Sequence, residues 1–237
     1  VKPANDPNNK ALLADLRRLE PGSGMTILVG GGTASIVDVV DSIAASFPYA
    51  AALVVVCTYL VLLLLLRSVL LPIKAIIMNV LSILAAYGAL VWVFQEGHLS
   101  NLLRFSAQGF VEASLPVIMF CVLFGLSMDY EVFLLTRIQE EWQRTHDNEH
   151  SVAVGLERSG RIITSAALIV VVVTASFVSA DVVLVKALGL GIALAVALDA
   201  TVVRALLVPA TMRLLGDWNW WLPHWLDRVL PRALHGG

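Results

Sequence analysis

From Leu115 to Leu135 the chain is apolar almost without a break. About 20 such residues are what an α-helix needs to cross a bilayer. Four further runs of similar length lie near residues 47–66, 72–94, 162–180 and 182–208. In hydrocarbon every backbone N–H and C=O must find its partner inside the protein, so each run must be a helix and the helices must pack together. Composition agrees: charged residues make up 14% of the chain, against about 25% in soluble domains. The fold class expected is an all-α polytopic membrane protein, a five-span helical bundle over residues 47–210.

Residues 1–46 read differently. Asp6 followed by Pro7 is a helix start, with an acceptor at the cap and proline at the first helical position. Leu12, Leu13, Leu16 and Leu19 then recur at helical spacing, and Pro21-Gly22 ends the helix. A short strand is expected over Met25–Val29, a glycine turn at Gly30–Gly32, and a second helix from Thr33 to about Ser46. Such a small α/β unit cannot bury a core of its own and reads as the end of a larger domain. The glycine turn lacks the GxxxxGK[ST] pattern of a phosphate loop; a backbone needing positive φ is the simpler account. The chain opens on polar residues and without Met, so no signal peptide is expected and the sequence reads as a fragment or a processed chain.

Basic residues set the expected orientation. The loops and tail on one side of the spans hold Arg67, Lys74, Arg137, Arg144, Arg158, Arg161, Arg213, Arg228 and Arg232, and the loops on the other only Arg104 and Lys186; the four basic residues of the N-terminal segment lie too far from the first span to count for much. Basic loops stay in the cytoplasm, which puts the N-terminus outside and the C-terminus inside. Residues 211–237 form a cytoplasmic tail in which Trp218, Trp220, Trp221 and Trp225 suit the headgroup level. Residues 139–161 are charge-rich and read as a cytoplasmic helix plus turn, with His146 and His150 as solvated loop residues. A net charge of −2 argues against a nucleic-acid partner. Cys57 and Cys121 sit in apolar runs without metal or redox spacing and read as small buried residues.

The chemistry is expected where charge interrupts the spans. A carboxylate in hydrocarbon costs several kcal/mol, about 2.5–3.5 by insertion scales, so Asp129 is a proton-relay or ion-pathway candidate. Tyr130 follows it, and Asp199 interrupts the fifth run. Asp129 lies eight residues before Arg137 and Asp199 ten before Pro209, which places both about 12–15 Å from the inner ends of parallel helices. At that common depth they can face each other or a shared polar partner. Tyr130, Ser127 and Thr201 supply hydroxyls, and Arg204 reads as a neighbour-helix partner or a snorkelling residue. Either aspartate could instead join helices by a hydrogen bond. Glu131 is left without an assigned role. Gly125, Gly189 and Gly191 read as points of close helix approach. An enzyme is not expected: Ser127 points elsewhere than Asp129, and no histidine lies within a span.

Gly125-Leu-Ser-Met-Asp-Tyr-Glu-Val-Phe-Leu-Leu135 resembles the Asp-Tyr span of the MMPL family, the mycobacterial-membrane-protein-large-type transporters of the resistance–nodulation–division superfamily. Val29-Gly-Gly-Gly-Thr-Ala34, Arg67-Ser-Val-Leu-Leu-Pro-Ile-Lys74, Gly160-Arg-Ile-Ile-Thr-Ser-Ala-Ala167, Asp199-Ala-Thr-Val-Val-Arg204 and Trp218-Asn-Trp-Trp-Leu-Pro223 extend the resemblance in order along the chain. It implies a proton-motive-force-driven exporter of lipids or other hydrophobic compounds in a bacterial plasma membrane. No cofactor is implied beyond the proton as coupling ion. Asp129, Tyr130 and Asp199 would be the proton relay, supported by Ser127, Thr201 and Arg204. The five spans would be the last five of a duplicated transporter, and residues 1–46 the end of an extracytoplasmic porter domain. The partners implied are membrane lipids, a hydrophobic substrate and the N-terminal half, whose own Asp-Tyr pair would face this one and has no counterpart in these residues. A non-transporting membrane scaffold, or a split half needing a partner subunit, is the alternative; a sterol- or protein-translocation branch of the same superfamily fits the Trp-rich tail less well.

Overall fold

A computed structural model describes residues 6–19, 22, 27–106 and 111–229. In order these form α1 (Pro7–Arg18), α2 (Gly32–Leu66), α3 (Leu70–Leu90), α4 (Ser100–Leu103), α5 (Ser114–Thr145), α6 (Asn148–Ser176), α7 (Val183–Leu198), α8 (Val208–Leu215) and α9 (His224–Val229). A π-helical turn, Val91–Gln95, prolongs α3, and a nine-residue π-helix, Asp199–Leu207, joins α7 to α8. The chain divides into two compact units, Val1–Leu53 and Val54–Gly237.

In the first unit Asp6 caps α1 as expected, its side chain accepting from the Asn8 N–H at 2.8 Å. Arg17 and Arg18 end that helix where its dipole favours cations, and Arg17 pairs with Asp38 of α2. Of the four leucines on the expected apolar face, only Leu13 is buried. No strand occurs among the described residues, which corrects the α/β expectation: Ile27–Gly30 is irregular, and Met25 and Thr26 lie outside the described residues, as does Pro21. A strand's N–H and C=O groups need a neighbouring edge, and helices α1 and α2 offer none. Gly31, at φ 117°, carries the turn into α2. That helix then runs unbroken through Pro48 to Leu66, so the two helices expected on either side of Phe47 are one.

Among the described residues five helices are long and apolar enough to cross a membrane: Gly32–Leu66, Leu70–Gln95, Ser114–Thr145, Asn148–Ser179 and Val183–Trp220. In the second unit α3, α5 and α7 pack on one another, and α6 lies against α5 and α7. The inner stripe of α5 repeats every three or four residues through Met119, Leu123, Ser127, Glu131 and Leu134. On α6 it repeats every four, through Ser151, Gly155, Ser159, Ile163 and Ala167. Lipid is as apolar as leucine, so helices associate by close packing rather than by hydrophobic exclusion. Glycine permits that closeness. A Cβ on Gly155 would stand 2.4 Å from Ile138 Cγ1, and one on Gly189 would stand 2.5 Å from both Phe177 Cβ and the Thr174 carbonyl oxygen. Nothing lies within 4 Å of a Cβ on Gly125, so that glycine serves no contact within the described residues.

Both long helices overrun their expected ends. α5 reaches Thr145 and α6 begins at Asn148, so the separate helix expected in residues 139–161 is the continuation of two spans. His146 turns the chain in a left-handed conformation, and Asp147 caps α6 by accepting from the His150 N–H at 3.0 Å. Glu141 draws in Arg158 at 3.0 Å and Arg144 at 3.7 Å, so these charged turns are held by ion pairs where an apolar stripe would otherwise be needed.

The tail is more than an interfacial anchor. Trp218, Trp221 and Trp225 are exposed, but Trp220 stacks on Trp142 with ring centroids 5.0 Å apart. Asn219 is wholly buried. Its side-chain amide donates to the carbonyls of Met212 and Gly216, and its backbone carbonyl accepts from the Ser68 hydroxyl. Trp220 Nε1 and the Asn148 side chain meet at 3.1 Å. The 67–69 connection, α5, α6 and α8 are thus clasped at one end of the bundle; Arg232 lies outside the described residues. Cys57 and Cys121 are exposed and free, contrary to the expectation of burial, because an outward face in lipid tolerates any apolar side chain.

Candidate functional site

The site forms where the inward stripes of α3, α5 and the fifth span meet. Asp199 is the first residue of the π-helix and is 7% exposed. Ser127 of α5 donates to its Oδ2 at 3.0 Å, and Ser82 of α3 makes a longer contact to Oδ1 at 3.4 Å. The Arg204 guanidinium, 3% exposed, pairs with Oδ2. It also donates to the Ser127 carbonyl at 2.8 Å and lies 4.9 Å above the centre of the Tyr130 ring. Arg204 is therefore both an intrahelical and an interhelical partner. In an α-helix residues five apart are separated by about 140° around the axis and cannot pair. The π-helix hydrogen-bonds i→i+5, as the Val208 N–H does to the Val203 carbonyl, and so stacks Arg204 over Asp199.

Two further buried ionisable residues, which no salt bridge joins among the described residues, lie beside this pair. Glu131 of α5 is 4% exposed and Lys74 of α3 is 6% exposed. Glu131 is within electrostatic reach of Lys74, Arg204 and Asp199. With all four ionised the cluster is neutral, which is the condition for keeping charges in a bundle core. Lys74 was expected in a basic loop; it lies in the second turn of α3, inside the protein. Lys186 likewise belongs to α7, where its ammonium donates to the Leu103 carbonyl at 2.6 Å and holds the segment between α3 and α5. Asn79 completes the polar lining, its amide 3.4 Å from the Phe124 carbonyl. The space that Asn79, Ser82, Ser127, Tyr130 and Asp199 enclose is about 10 Å³, near the size that admits one water.

Asp129 is not part of this cluster. It is exposed, because α5 turns about 200° in two residues and Ser127 and Glu131 take the inward face. Asp129 and Asp199 therefore do not meet within the described residues. Tyr130 stands between the two faces, half-buried, with its ring under Arg204. Thr201 is exposed and donates to the Ala197 carbonyl at 2.6 Å, a bond within its own helix that leaves it outside the site. Ser82, Asn79, Lys74 and Glu131 are the residues that sequence reasoning did not assign. The i, i+4 spacing of Ser127 and Glu131 was the available signal for the last of them.

The residues from 3 to 233 match the family described as the MMPL family. The chain belongs to the MMPL family. It is 42% identical over 97% of its length to the "Mycolic acid-containing lipids exporter MmpL11" of Mycolicibacterium smegmatis, of which it covers 26%. It is 41% identical over 93% of its length to the "Trehalose monomycolate exporter MmpL3" of Mycobacterium tuberculosis, covering 23% of that protein. To the "Heme uptake protein MmpL11" of Mycobacterium tuberculosis it is 47% identical over 86% of the chain and 21% of the relative. The chain thus spans between a fifth and a third of the curated relatives it matches. Together with the five apolar helices, membership of this family makes it a multi-pass membrane protein.

Proposed function

We propose that this MMPL-family chain is the C-terminal transmembrane part of a proton-motive-force-driven exporter of lipids or other hydrophobic compounds. The observation that carries the reading is the arrangement around α5. A buried Asp199–Arg204 pair lies on its inner side, Asp129 lies on its outer side, and Tyr130 stands between them. A carboxylate on the outer face of a membrane helix is costly unless another protein surface covers it. Gly125, one turn earlier on the same exposed face, has open space over its Cα and would let a covering helix approach closely. An N-terminal half of the same transporter fits that face and would supply the second carboxylate. A split half recruiting a separate subunit would use the same surface. Protons would then pass between Asp129 and Asp199 by way of Tyr130, with Ser127 and Arg204 holding Asp199.

Relatives named as lipid exporters support a hydrophobic cargo, and one named for heme uptake keeps that class broad. Arg67, Arg144, Arg158 and Arg213, in ion pairs with Asp227, Glu141 and Glu149, lie at the clasped end of the bundle, which favours that end as cytoplasmic. The decisive experiment is Asp129→Asn in the full-length protein, read as proton-coupled export from membrane vesicles. Loss of coupling with normal membrane insertion is the expected result; export at the wild-type rate would overturn the reading.

A further inference from the structure

Lys74 and Glu131 are buried ionisable groups that the Asp199–Arg204 pair does not account for. Lys74 Nζ and Glu131 Oε1 are both buried, and neither has a hydrogen-bond partner among the described residues. Where buried polar side chains only hold helices together, their donors and acceptors are satisfied, because an unbonded buried polar group destabilises the fold. A carboxyl left open in this way, with an amine near it but not in contact, is suited to exchanging a proton. Its position suits the same task. Glu131 is one turn beyond Ser127 on the inward face of α5, about 6 Å further along the axis and closer to the clasped end. Lys74 lies two turns before Ser82 on α3, towards that same end. The four ionisable residues therefore fall in two stacked layers. Asp199, Arg204, Ser82 and Ser127 form the upper layer, and Lys74 with Glu131 forms the lower.

We propose that Glu131 is the exit station of the proton path, taking the proton from the Asp199 layer and passing it towards the clasped end, with Lys74 as its counter-ion. The inference rests on the proton-coupled reading above. In the step, protonated Asp199 and ionised Glu131 become ionised Asp199 and protonated Glu131; the proton then leaves Glu131 for water. Lys74 keeps its proton throughout. The charges facing Glu131 are Lys74 from α3 and Asp199 and Arg204 from the fifth span.

The test is proton flux under an imposed pH gradient in vesicles holding the full-length protein. Glu131→Gln, nearly isosteric, is expected to lower the flux about a hundredfold, the scale of a lost acid–base group, and Glu131→Asp to restore part of it. The apolar pair Lys74→Met with Glu131→Leu separates relay from scaffold, since a merely structural buried pair is often replaceable by apolar residues. Wild-type flux in that double variant, or in Glu131→Gln, overturns the inference. If the double variant does not insert, Glu131→Gln and Glu131→Asp decide alone. Asp129→Asn runs alongside: unchanged flux there removes the proton-coupled reading and this inference with it. Lost flux in Asp129→Asn beside wild-type flux in Glu131→Gln removes this inference only.

Discussion

Replacing Arg204 by methionine removes one side chain from three interactions at once. The guanidinium gives a charged hydrogen bond to Asp199, a second to the Ser127 carbonyl at 2.8 Å, and a cation–π contact to Tyr130 at 4.9 Å. Hydrogen bonds involving a charged group contribute about 1.5–3 kcal/mol each, and a desolvated cation–π contact about 2 kcal/mol. Methionine recovers part of this through its own packing. What remains is the Asp199 carboxylate, buried with only Ser127 and the distant Ser82 as donors. Removing one partner of a buried ion pair costs about 3–5 kcal/mol, the same range by an independent route. The expected result is a loss of about 4 kcal/mol, measured by denaturant unfolding of the purified protein in detergent micelles. Asp199→Asn should also destabilise, because it strands the guanidinium. The double variant should be more stable than the sum of the two losses implies, by about 2 kcal/mol or more, as residues in one network show. Arg204→Met within about 0.5 kcal/mol of wild type, the range of an ordinary surface change, would refute the geometry. So would strict additivity in the double variant.

Two packing predictions follow. Gly189→Ala is expected to cost about 1–3 kcal/mol, because its Cβ would meet Phe177 Cβ and the Thr174 carbonyl oxygen at 2.5 Å; Gly125→Ala, over open space, should leave the stability of this chain within about 0.5 kcal/mol, and equal effects in the same unfolding assay would contradict the packing described. Asn219→Ala strips the clasp of its buried amide and leaves the Met212 and Gly216 carbonyls without that donor. A loss of about 1–3 kcal/mol and faster proteolysis between Leu215 and His224 are expected, whereas wild-type resistance to protease would mean that the tail is held by other contacts.

The spans were legible because lipid leaves the backbone a single option: wherever about 20 apolar residues run together, a helix follows. Where water replaces lipid that logic lapses. The helical turns after Ile138 and before Ile162 depend on ion pairs such as Glu141–Arg158, which hydropathy does not register. In the described part of the strand expected at Met25–Val29, Ile27–Val29, none forms, for a related reason: composition suggests a strand but cannot supply the neighbouring edge it needs. Within the site, Ser127, Asp199 and Arg204 were singled out from their chemistry alone. That Ser127 and Asp129 point apart was legible, but not which of the two faces the bundle; once Ser127 faces inward, a 100° step per residue carries Glu131 inward and Asp129 outward.

The pairing of Asp199 with Arg204 was the least legible feature, because a separation of five argues against contact on an α-helix. The physics that reverses this is a competition between two costs. Kept as an α-helix, residues 199–207 would turn Arg204 about 140° away from Asp199, leaving one charge among apolar helices and the other facing lipid, at several kcal/mol each. The π-helix instead shifts the backbone hydrogen bonds from i→i+4 to i→i+5 over nine residues and keeps them made. It gains a closed ion pair and a hydrogen bond to a neighbouring helix. With burial on one side and only poorer hydrogen-bond geometry on the other, the wider helix is the cheaper solution. A carboxylate and an arginine five residues apart inside an apolar span therefore form, in lipid, a reason to expect a π-helix between them.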